Sequence, residues 1–130
     1  MTHSTANKIR AAYDGRKDID YRNSTEAFKQ TIALLTAGKL NSAWVYTGTA
    51  MTPTNIGGLL AVRPNINARV YAVVYVSHAD EYHVDFVHVK RDTAEIIAES
   101  GGVYLDQLAS VYENMYDEYI HAEQGSFIRI

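Results

Sequence analysis

The chain has 130 residues, no cysteine and a formal net charge of −3. That length bounds one domain, 1–130, with a sizeable core, and the lack of thiols excludes disulfides, thiolate metal sites and cysteine nucleophiles. An ordinary balance of 47% hydrophobic and 21% charged residues argues against disorder, and no run reaches the roughly 20 apolar residues of a membrane span.

Residues 1–7 are polar and expected to fray. No signal-peptide-type apolar segment follows, so a cytoplasmic protein is expected. From Lys8 to Tyr21 the pattern suggests a β-hairpin around Asp14-Gly15-Arg16, pairing Tyr13 with Lys17, Ala11 with Ile19 and Ile9 with Tyr21. Arg10 would then oppose Asp20 on the polar face. Asn23-Ser24-Thr25 before Glu26 signals a helix over 25–37, buried through Phe28, Ile32 and Leu35 and ended by Gly38. The segment 41–49, with the only tryptophan, Trp44, is β-rich.

Gly48 to Gly58 reads as a loop rich in Gly, Thr and Asn. Leu59–Val62 is expected to be a short strand, Ala68–Ser77 a central strand apolar on both faces, and Tyr82–Lys90 an alternating strand. Arg63-Pro64-Asn65 and Ala79-Asp80-Glu81 separate them as turns. Thr93 is placed to cap a short helix ending at Ser100, and Phe127–Ile130 to add an edge strand.

The longest periodic stretch is Gly102 to Glu123. On a wheel of about 100° per residue, Tyr104, Leu105, Leu108, Val111, Tyr112, Met115, Tyr116 and Tyr119 share a broad apolar arc. Asp106, Glu113 and Asp117 form a narrow stripe opposite. The expected fold is therefore α+β: an antiparallel sheet of five to six strands, covered by the 25–37 helix and a long acidic C-terminal helix.

Charge is unevenly distributed. Residues 92–130 carry eight acids and one base, Arg129, a net of −7, whereas residues 1–91 carry seven acids and eleven bases, a net of +4. A helix of carboxylates without Lys or Arg forgoes the usual i, i+4 ion pairs. One interpretation is a solvated face that confers solubility. The other is a surface built to meet a basic partner, with Asp106, Glu113, Asp117 and Glu118 standing in for phosphates and Tyr116 offering stacking surface. Ten tyrosines suit an interface and a half-buried sheet equally well.

Other chemistry has weaker support. His78, His83 and His88 surround one hairpin with Asp85, but only His83 and Asp85 share a strand face, so a metal site is not expected. A His83–Asp85 catalytic pair has no identifiable nucleophile, and the alternative is two polar residues on the wetter side of a strand. The Gly48–Gly58 loop matches no phosphate-binding pattern and precedes no helix. Lys8, Arg10, Arg16, Lys17 and Arg22 are interleaved with Asp14, Asp18 and Asp20, which argues against direct nucleic-acid binding.

The leading expectation is a non-enzymatic binding protein, an inhibitor that mimics nucleic acid towards a basic, nucleic-acid-handling partner, in the physical style of anti-defence proteins of phages and mobile elements. The alternative is a self-assembling virion or scaffold component, a homo-oligomer in which the acidic half of one copy meets the basic half of the next. A small enzyme using His83 and Asp85 comes third. No cofactor and no metal are expected.

Overall fold

A computed structural model describes residues 3–26, 54–62, 69–108, 110–112, 114, 115, 117 and 118. Among the described residues, five strands form one antiparallel sheet in chain order: β1 Thr54–Ile56, β2 Leu59–Val62, β3 Val70–Val76, β4 Tyr82–Val89 and β5 Ala94–Glu99. Two described helices precede them, α1 His3–Ala12 and α2 Tyr21–Glu26. The architecture is α+β, as the periodicities predict.

The centre of the sheet follows directly from composition. β3 reads VYAVVYV, and all seven side chains are buried. Such a run of β-branched and aromatic residues suits a strand covered on both faces. Register puts Tyr71, Val73 and Tyr75 beside Val87, Asp85 and His83 on one face, and Val70, Ala72, Val74 and Val76 beside His88, Phe86, Val84 and Tyr82 on the other. The first face packs against Ile9, Tyr13 and Ile19. The second carries Phe86, whose ring meets Tyr112 edge-on at 6.1 Å.

The expected hairpin from Lys8 to Tyr21 is a helix and a loop. Ile9 and Tyr13 sit four apart, a spacing that fits both a strand face and a helix face. Ala6 settles it, because Ala6, Ile9 and Tyr13 recur at helical spacing and pack into one core cluster, whereas Ala11 is exposed. Residues 3–7, expected to fray, form the first turns of α1. The Asp14-Gly15 pair ends the helix, with Gly15 at φ 83°. Of the expected second strand, an isolated bridge remains, Ile19 opposite Ser77, carried by the Asp20 N–H on the Val76 carbonyl and the His78 N–H on the Asp18 carbonyl.

The cap of α2 is Asp20, whose Oδ1 accepts from the Asn23 backbone N–H at 3.0 Å. Ser24, read from the sequence as part of the cap, is buried instead. Its hydroxyl donates to the Val76 carbonyl at 3.2 Å and accepts from the Val76 N–H at 2.8 Å. The part of the 25–37 helix beyond Glu26 lies outside the described residues, as do the 41–49 segment and Phe127–Ile130.

Part of the expected Gly48–Gly58 loop is strand: residues 54–56 are β1, and Gly57-Gly58 is its two-residue turn into β2. Both glycines have positive φ, 60° and 106°, as the hairpin turn requires. At Gly58 a Cβ would lie 2.7 Å from the Tyr21 carbonyl oxygen, so the turn abuts the start of α2.

The helix expected from Thr93 to Ser100 is strand β5. Ala and Glu favour a helix locally, but Ile96 and Ile97 favour a strand, and β4 offers a free edge. The tight turn Lys90–Thr93, closed by the Lys90 N–H on the Thr93 carbonyl at 2.7 Å, brings the chain back onto that edge. A bulge between Phe86 and Val87 lets Ile97 slip the register. No helix among the described residues is long and apolar enough to cross a membrane.

Candidate functional site

The acidic stripe starts where β5 ends. Val103 bridges Tyr82 at the edge of the sheet, and Tyr104 then opens a helical stretch. The Gln107 side chain accepts from the Tyr104 backbone N–H at 3.2 Å, one half of a capping box. Residues Leu105–Gln107 form a 3₁₀ turn, and the residues described between 108 and 118 are helical.

Leu108 and Tyr112 are fully buried, while Val111 and Met115 are half-buried. Tyr112 meets Phe86 of β4, a contact from this stretch to the sheet. Tyr104 departs from the apolar arc. As the cap it precedes the helical periodicity, and it is 65% exposed. Asp106, Asp117 and Glu118 are exposed. Glu113 and Tyr116 lie outside the described residues.

The basic N-terminal half reaches only some of the acids. Lys90 Nζ lies 2.5 Å from Glu95 and holds that carboxyl below its ordinary value. Arg16 binds Glu99 at 2.8 Å. Among the described residues, no ion pair holds Asp106, Asp117 or Glu118.

Arg16 also roofs a buried polar cluster that local spacing does not reveal. The Tyr13 hydroxyl donates to Asp85 Oδ2 at 2.6 Å across 72 residues of sequence. Arg16 donates to the Tyr75 hydroxyl at 3.3 Å, and its guanidinium carbon lies 5.3 Å from the centre of the Tyr13 ring. Tyr13 and Tyr75 meet edge-on at 5.8 Å, and His83 stacks on Tyr75 at 4.8 Å.

His83 and Asp85 share a face, as expected, but that face is the core side of the sheet. Asp85 is 1% exposed, so the reading of a wetter strand side is corrected. The polar residue is there because Tyr13 supplies its bond. Burial pushes the Asp85 carboxyl up to about 6; the Tyr13 hydrogen bond opposes this rise, and the Glu99 charge adds to it. Burial, with the neighbouring Asp85 charge, also raises Tyr13 far above the ordinary phenol value, so its hydroxyl stays a donor. Tyr75 is pushed up to about 12, chiefly by burial. This geometry pins the end of α1 to β4.

The other histidines do not join the cluster. His78 is exposed, with Nδ1 3.7 Å from Asp20. His88 lies on the opposite sheet face, between Val70 and Glu95 in register. No group of three or more metal-ligating side chains occurs among the described residues. Comparison with protein-family models, with curated proteins and with solved structures gives no match.

Proposed function

We propose that the chain is a non-enzymatic cytoplasmic binding protein whose acidic C-terminal helix docks on a basic partner. The contacts are Asp106, Glu113, Asp117 and Glu118, with Tyr116 as the stacking surface. One observation supports this reading: Asp106, Asp117 and Glu118 are exposed and lack ion pairs among the described residues, while Glu95 and Glu99 of the same base-poor stretch are neutralised internally. Asp106 and Asp117 are eleven residues apart, about three helical turns, and so return to one face at a spacing of roughly 16 Å. A partner that grips a phosphate backbone through Lys and Arg presents the complementary pattern. A nucleic-acid-handling protein is the partner class that fits.

The test is affinity capture from a lysate with the wild-type chain beside the Asp106/Glu113/Asp117→Lys triple variant, at low and high salt. A basic protein held by the wild type, lost by the variant and weakened by salt is the expected result. Equal retention by both chains removes the proposal, and self-association of both points instead to an assembly of copies.

A further inference from the structure

A cleft of about 420 Å³ lies between α1, the start of α2 and the β1–β2 hairpin. Ile56 and Leu59, both buried, lie at its base, and the exposed Tyr21 ring stands at its side. From α1 it receives Asn7 and Arg10, and from the turn that follows it Asp14. These are three and four residues apart, so they occupy one face of the helical stretch and its final turn.

Arg10 and Asp14 stand at the i, i+4 spacing at which opposite charges ordinarily pair. Here no ion pair joins them, and no side-chain hydrogen bond ties either to another described residue; both are exposed to the cleft. The Arg10 guanidinium instead lies over the hairpin turn, where a Cβ at Gly57 would sit 3.8 Å from its central carbon. The bare glycine backbone thus leaves the guanidinium close against the turn, within the lining of the cleft. One cleft therefore presents a full positive and a full negative charge, unmatched among the described residues and one helical turn apart, beside the exposed Tyr21 ring.

We propose that this cleft binds a small zwitterion, an α-amino acid. The ligand carboxylate takes the Arg10 fork in a bidentate pair, and its ammonium meets Asp14. The ligand side chain lies against the Tyr21 ring, the exposed apolar surface of the cleft. The cleft falls within the usual size range of small-molecule sites, about 300–1,000 Å³. A simple anion would satisfy Arg10 and be repelled by Asp14, and a simple cation would meet the reverse. The site is independent of the acidic helix, so either proposal can fail without the other.

The probes are L-phenylalanine and L-leucine, followed by titration calorimetry and by amide shifts of the folded full chain. Controls are 3-phenylpropionate, which lacks the ammonium, and 2-phenylethylamine, which lacks the carboxylate. Each control should bind roughly tenfold or more weaker than L-phenylalanine, and Arg10→Gln and Asp14→Asn should each weaken L-phenylalanine by a similar factor. Both positions are exposed, so the variants keep the fold, which circular dichroism checks. Failure of both amino acids to bind the wild type overturns the proposal. So does binding of L-phenylalanine that both variants retain, or binding of 3-phenylpropionate as tight as that of L-phenylalanine and untouched by Asp14→Asn.

Discussion

The acids of β5 and those of residues 106–118 belong to one base-poor stretch, yet the fold uses them differently. Glu95 and Glu99 meet Lys90 and Arg16, and so join the C-terminal half to the N-terminal half. Asp106, Asp117 and Glu118 face outward. A charge imbalance along a sequence is thus not one surface, because the chain folds its basic half onto part of its acidic half. What remains after this internal neutralisation is the part available to a partner. Asp85, an acid of the basic half, extends the comparison inward, since it is buried and held by a hydroxyl.

Substitutions along this gradient from buried to exposed should separate the three settings. The largest effect belongs to Asp85. Its folded value, about 6, lies above its ordinary value of 3.8, so the folded state holds the proton more tightly than the unfolded state does. The associated stability is fully present below pH 4 and is lost as pH rises through 6, by up to about 3 kcal/mol. Urea titrations from pH 4 to 8 should show this decline in the wild type and not in Asp85→Asn, and an identical decline in the variant would exclude Asp85 as its source.

Next comes Tyr13→Phe, which removes the hydroxyl and leaves the carboxylate buried without it. The expected cost is about 1–3 kcal/mol at pH 8, shrinking near pH 5 where Asp85 is protonated. Thermal melts at the two pH values check both the size and the direction. A cost that is equal at both pH values would mean that the hydroxyl acts through packing alone.

Glu99→Gln, at a half-exposed ion pair, should cost less than about 1 kcal/mol, and that cost should fade in high salt. The smallest effect is expected at Asp106→Asn and Asp117→Asn, within about 0.5 kcal/mol in either direction. A clear loss of stability there would show that these acids have a structural partner and would draw them into the same class as Glu99.

The legible parts of the fold are those where a single periodicity acts alone. β3 is apolar throughout, β4 alternates, and the Asp80 turn has the residue types its positive φ of 62° favours. The illegible parts have two competing signals. Ile9 and Tyr13 fit a strand or a helix, and the balance tips only with the core contact of Ala6. Residues 94–99 have helix-forming Ala and Glu, but the hydrogen bonds offered by the β4 edge outweigh that preference. At the acidic stripe, the buried and exposed sides of the described residues follow from the wheel. Tyr104 does not, because a cap lies outside the helical period. The Tyr13–Asp85 bond had no local signal at all, since it exists only once α1 lies across β4.

Ser24 has a consequence for how the sheet is bounded. Its hydroxyl engages both backbone groups of Val76, and the Asp20 N–H also donates to the Val76 carbonyl, at 2.9 Å. Register extends from Leu60↔Val74 towards Gly58 opposite Val76, the place where β2 gives way to its turn against Tyr21. A side chain from α2 therefore occupies the ladder position that a longer β2 would fill. It acts as a stop against sliding: a two-residue shift of β2 along β3, which would keep every side chain on its proper face, must first break the serine's hold on Val76. The amide proton of Val76 reports on that stop, because its exchange with solvent requires α2 to lift while the strands themselves stay paired.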